Sequence, residues 1–95
     1  MYSQSVDNSI KTIVLDAGHG GKDPGNLGTG RYKQNEKEIV LTVTLMVGKY
    51  IEEAFPDISV LYTRKDDSYP TLRERTDFAN KNNADLFLSI HCDAF

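Results

Sequence analysis

Cysteine is nearly absent: Cys92 is the single thiol in 95 residues. One thiol closes no intrachain disulfide, so the sequence carries no disulfide framework and no sign of its redox compartment. Long apolar runs are missing too, and none approaches the roughly 20 residues that a membrane-spanning helix needs. The opening stretch from Met1 to Ser9 is polar. Without an apolar h-region it is not a signal peptide, and residues 1–10 read as a disordered lead-in. No block of positive charge stands out, and the net charge is -3. Clustered Lys and Arg are what neutralise phosphates, so nucleic acid is not an expected partner. Internal repeats and low-complexity stretches are also lacking.

What is present fits one soluble globular domain. Hydrophobic residues make up 39% and mean hydropathy is -0.46. A chain this short buries only about 60–65% of the surface its unfolded form exposes, so the core is thin. Thr12 to Leu15 is a β-branched apolar run and predicts a buried strand. After Asp16 the glycines at 18, 20, 21 and 25, with Pro24, predict a loop that continues through Gly28, Gly30 and Asn35. From Glu36 to Phe55, Val40, Val43, Val47, Tyr50, Ile51 and Ala54 recur at steps of three and four, the helical period. Glu36 and Glu38 suit the positive end of a helix, and Pro56 supplies a stop. The β-branched residues and Gly48 in this segment argue the other way.

Ile58 to Thr63 predicts a second strand. Thr71 and Glu74 match a capping box, opening a helix to about Lys81 that packs Leu72, Phe78 and Ala79 inward. Leu86 to Ile90 predicts a third strand that leads into His91. The order β-α-β-α-β predicts an α/β fold, with a mostly parallel sheet and crossover helices on both faces.

In open parallel sheets, ligands sit beyond the carboxyl ends of the strands. Both histidines fall there, His19 after the first strand and His91 after the third. With the first strand between the other two, they would come from neighbouring strands. Two histidines and a carboxylate form a common zinc set that leaves one position for water. Glu36, at the start of the helix after the glycine-rich loop, is the best third ligand. Taken singly, each has a plainer reading. An isolated histidine is more often a surface or core residue, and acidic residues at helix starts routinely partner the dipole.

The Gly18-His19-Gly20-Gly21-Lys22 run is not a phosphate cradle. Asp16 and Asp23 occupy P-loop positions that need Gly and Ser/Thr, and Asp23 replaces the third glycine of the dinucleotide pattern. A tight turn orienting His19 is the simpler reading. Arg64, Arg73 and Arg75 read as structural salt-bridge partners rather than substrate ligands. Strand alternation turns Cys92 away from the side that His91 faces, so it reads as interior.

With these residues placed, the sequence resembles the zinc-dependent N-acetylmuramoyl-L-alanine amidases of bacterial cell-wall turnover. The run Thr12-Ile13-Val14-Leu15-Asp16-Ala17-Gly18-His19-Gly20-Gly21-Lys22-Asp23-Pro24-Gly25 is similar to their opening motif. Glu36 to Leu41, Thr63-Arg64 with Asp66-Asp67, Leu72 with Arg75, Ala79-Asn80 and Ser89 to Ala94 follow in the family's order. The resemblance spans Lys11 to Phe95. It implies Zn²⁺ on His19, Glu36 and His91, a peptidoglycan or muropeptide substrate, and a periplasmic or extracellular setting. The reaction implied is hydrolysis of the amide between N-acetylmuramic acid and L-alanine of the stem peptide, in wall turnover or daughter-cell separation.

Cys92 stands where the family usually has a small residue such as Ala. The family's further glutamate, its general base or transition-state stabiliser, is expected beyond Phe95, and Asp16, Glu38 and Asp93 are not expected to replace it. Residues 11–95 thus read as the N-terminal part of the catalytic domain, expected to be inactive alone. A non-catalytic peptidoglycan-binding module and a zinc hydrolase of another bond are the alternatives, because fold alone does not settle function.

Overall fold

The computed structural model describes residues 9–21 and 36–91. The lead-in up to residue 8, the loop containing Gly25, Gly28 and Gly30, and Cys92 and Asp93 lie outside the described residues. The order is β1 (Thr12–Ala17), α1 (Glu36–Ala54), β2 (Ser59–Tyr62), α2 (Leu72–Lys81) and β3 (Leu86–Ile90). The sheet is parallel with strand order β2-β1-β3. The expected α/β class and central first strand are both found. β1 runs through Ala17, past the expected end at Leu15, and β2 is shorter than expected.

The central place of β1 follows from its composition. Paired on both sides and covered on both faces, a strand can be apolar throughout. From Ile13 to Ala17 every residue of β1 is buried. Ile13 and Leu15 form the core with Val60, and Val47, Ile51, Ile58 and Tyr62 pack around it. Val47 and Ile51 place α1 on this face. Asp16 points to the other face, where Arg75 of α2 meets it. Right-handed crossovers require this arrangement: the chain moves one way from β1 to β2, then back past β1 to β3, so the helices take opposite faces.

The structure defines the buried face of α1 and corrects the one expected for α2. The buried stripe of α1 is Glu36, Val40, Thr44 and Gly48, whereas Val43 and Tyr50 are exposed. A Cβ on Gly48 would fall 2.0 Å from the Tyr62 hydroxyl, so the missing side chain lets α1 lie close to β2. The α2 face is turned. Leu72 is 80% exposed and only Arg75 and Ala79 are buried, because the first turn of α2 rises beside the cleft described below. The capping box itself is present: Thr71 Oγ1 accepts from Glu74 N, and Glu74 Oε1 accepts from Thr71 N. No helix among the described residues is long and apolar enough to cross a membrane.

Candidate metal centre

His19, Glu36 and His91 meet at the carboxyl edge of the sheet. His19 Nε2 stands 3.2 Å from Glu36 Oε2 and 3.3 Å from His91 Nδ1. His91 Nδ1 is 3.6 Å from the same Glu36 oxygen. The three donors form a nearly equilateral triangle. Glu36 is 5% exposed, and burying a carboxylate is costly unless positive groups or donors face it. The positive end of α1 meets part of that need here.

Each side chain is placed by a different element. β1 delivers His19 through a turn in which His19 itself adopts φ 62°, followed by Gly20 at 123° and Gly21 at 52°. A left-handed residue other than glycine is strained by about 1–2 kcal/mol and persists when its surroundings hold it. Arg75 Nη2 holds this one by donating to the His19 carbonyl at 2.7 Å. At Gly20 a Cβ would strike the Ser68 carbonyl at 2.2 Å, so that glycine serves a close approach as well as the turn. Helix α1 presents Glu36 as its first residue. Lys37 ties the helix start to the turn by donating to the Gly21 carbonyl and to Asp67, which also accepts from Gly21 N. β3 delivers His91, and its last pairing, Gly18 N to the Ile90 carbonyl, sets the two histidine-bearing segments side by side.

Two buried guanidiniums fix this edge. Arg64 donates to the carbonyls of Ala17, Gly18, Lys37 and Asp66. Arg75 donates to Asp16 Oδ1 and to the carbonyls of Ala17, His19 and Pro70. Arg75 is thus the expected structural ion-pair partner, with Asp16 at 2.7 Å. Arg64 mainly binds carbonyl groups, and Arg73 makes an exposed pair with Asp77. Asp16 accepts from Thr63 Oγ1, Arg75 Nη1 and Ser89 Oγ. Burial pushes its pKa up. The hydrogen bonds from Thr63, Ser89 and Arg75, with the Arg75 charge, more than offset this and hold it below the ordinary carboxylate value.

A cleft of about 250 Å³ opens over the triad, walled by Tyr69, Leu72 and Arg75 on one side and by His19, Ser89 and His91 on the other. A larger apolar hollow lies at the opposite edge of the sheet, between Ile10, Ile51 and Phe55. No cluster of metal-ligating groups among the described residues accompanies it.

Sequence reasoning missed the part played by Ser89. Its signal was available: residues two apart on a strand share a face, which sets Ser89 beside His91. The carbonyl-binding role of Arg64 carries no such local signal, since its partners lie up to 47 positions away.

The sequence and fold have close counterparts among known proteins. The family model described as N-acetylmuramoyl-L-alanine amidase matches residues 13–95. The amidase AmiC of Escherichia coli O6:H1 is 43% identical over 87% of this chain and 19% of its own length. The sporulation-specific amidase of Bacillus subtilis is 39% identical over 86% of this chain and 31% of its own. The chain thus spans about a fifth to a third of these relatives. Among solved structures, the catalytic domain of CwlV from Bacillus (Paenibacillus) polymyxa var. colistinus superposes with a TM-score of 0.79 at 40% identity, covering 87% of this chain and 45% of that one. AmiC2 of Nostoc punctiforme gives 0.78 at 34% identity, covering 86% and 43%. By this match over nearly its whole length, the chain belongs to the N-acetylmuramoyl-L-alanine amidase family.

Proposed function

We propose that the protein carrying this chain is a zinc hydrolase of peptidoglycan, cutting the amide between N-acetylmuramic acid and L-alanine of the stem peptide. It would act at the cell wall, in the periplasm or outside the cell, where such a substrate lies. The observation that carries the reading is the triangle of His19 Nε2, Glu36 Oε2 and His91 Nδ1, with edges of 3.2, 3.3 and 3.6 Å. Charge-assisted hydrogen bonds are shorter, about 2.7–2.9 Å. Donors about 2.0–2.1 Å from a tetrahedral zinc stand about 3.3–3.4 Å from one another. The spacing therefore fits three ligands around one ion better than three groups bonded directly. Two nitrogens and one carboxylate oxygen also suit zinc and leave a fourth position open.

His19, Glu36 and His91 would hold the ion on three separate elements. When bound, zinc polarises a scissile carbonyl and lowers the pKa of a bound water. The chain's own residues shape the rest. Arg64 and Arg75 keep the His19 turn in place, and Tyr69 and Leu72 line the cleft. Asp16 lines the same cleft, but its oxygens already accept three hydrogen bonds. It is therefore unsuited to act as the general base, and the reading gives that role to none of the three ligands either.

Two measurements on the intact protein test this. Elemental analysis is expected to find about one zinc per chain, lost in His19→Ala and His91→Ala. A wild-type protein without zinc would overturn the metal assignment. Mass analysis of digested muropeptides is expected to show peptide freed from the lactyl group of the sugar, and cleavage of a different bond would overturn the substrate.

A further inference from the structure

The hydrogen bonds behind His91 run in one direction only. Asp16 Oδ1 accepts from Thr63 Oγ1 at 2.6 Å and from Arg75 Nη1 at 2.7 Å, and Oδ2 accepts from Ser89 Oγ at 2.7 Å. An ionised carboxylate paired with a guanidinium has no proton to give, so the one hydroxyl proton of Ser89 goes to Asp16. Ser89 Oγ then has only lone pairs left for His91 Nε2, 3.1 Å away. Nε2 must carry the proton in that contact. In a neutral imidazole this leaves the lone pair on Nδ1, the atom 3.3 Å from His19 Nε2 and 3.6 Å from Glu36 Oε2. The ring also has a fitted seat. A Cβ on Gly18 would fall 2.3 Å from His91 Cε1, so the imidazole lies where only glycine leaves room.

We propose that Ser89, oriented by Asp16, is a positioning residue that fixes His91 as the Nε2–H tautomer and so aims its Nδ1 lone pair into the triad. Its bearing on zinc affinity rests on the metal reading above, whereas the tautomer itself does not. Groups behind a ligating histidine set its tautomer and orientation, and losing one typically weakens metal binding about 10–100-fold. Here the partner is a hydroxyl relaying to a carboxylate, and the carboxylate is itself anchored to α2 through Arg75.

Long-range ¹H–¹⁵N NMR of the intact, metal-free protein, labelled at histidine and held at about pH 8, above the ordinary imidazole range, reads the tautomer directly. Wild type is expected to show His91 protonated at Nε2. Ser89→Ala is expected to give a mixed or Nδ1–H population and a zinc Kd about 10–100-fold weaker. Ser89→Thr, which keeps the hydroxyl, is expected to restore both. A wild-type His91 protonated at Nδ1 overturns the proposal, and so does a Ser89→Ala protein that keeps the wild-type tautomer. Should wild type show the Nε2–H form but bind no zinc, the metal reading falls while the positioning by Ser89 stands on the spectra.

Discussion

β1 and β3 lie side by side in one sheet, both apolar, yet their fates differ. Leu15 of β1 is fully buried, whereas Leu88, its partner in the register, is 39% exposed. The difference comes from neighbours rather than from composition. β1 is paired on both sides and covered by both helices, and β3 is paired on one side only among the described residues. The site straddles the two, with His19 on the well-packed strand's exit and His91 on the other's. One ligand therefore rests on the core, and the second depends on the wiring at the sheet edge.

Truncation at the paired positions would sharpen this contrast most. Leu15→Ala should cost about 3–5 kcal/mol, as for large-to-small changes in a closed core. Leu88→Ala should cost about 1 kcal/mol, because much of its side chain already meets solvent. Similar losses in chemical denaturation of the two variants would erase the distinction.

Next in size is the link between the strands. Arg75→Met should destabilise by about 3–4 kcal/mol, since Asp16 would stay buried without its cation. It should also disturb both histidines, His19 through its freed carbonyl and His91 through Asp16 and Ser89. Histidine NMR shifts unchanged in this variant would show that Arg75 supports only the fold.

The link also sets a pH response. Asp16 has its pKa lowered from 3.8 in the fold, so its contribution is fully present above the unfolded value. It is lost as pH falls through the lower folded one. Stability should hold from neutral pH to about 5 and decline below about 4, and Asp16→Asn should make that acid limb shallower. An unchanged acid limb would assign the response to other carboxylates, such as Asp85, lowered by the amides of Lys11 and Thr12.

The smallest effect is expected on the α1 side. Thr44 is fully buried, and its hydroxyl has no hydrogen-bond partner among the described residues. Thr44→Val keeps the shape and removes the unsatisfied group, so it should raise stability by about 1 kcal/mol. A loss on thermal melting would mean that the hydroxyl is satisfied in solution.

Local chemistry was the legible part of this molecule. The Thr71–Glu74 capping box, the strand running into His91 and the acidic start of α1 are written within a few residues, and all three are found. The choice of face was not legible. In α1, apolar and β-branched residues occur on several sides, and the stripe through Thr44 and Gly48 is selected by the close approach to Tyr62. Leu72 matched an inward position by type, but its place in the first turn of α2 turns it to the cleft. At the site, the coming together of His19, Glu36 and His91 was legible because topology sends strand ends and a helix start to one edge. The guanidinium contacts of Arg64 and Arg75 join segments far apart in sequence, and no local pattern encodes them.

The ends of β3 carry a further consequence. At its start, Asp85 Oδ2 accepts from the amides of Lys11 and Thr12, both at 2.9 Å, while Asp85 N donates to the Thr12 carbonyl. At its finish, Gly18 N donates to the Ile90 carbonyl and Ser89 reaches Asp16. A strand clipped at both ends cannot fray residue by residue. In hydrogen exchange its paired amides should open together, as one unit of lower protection than β1, and an ion shared between His19 and His91 would slow that opening as a whole.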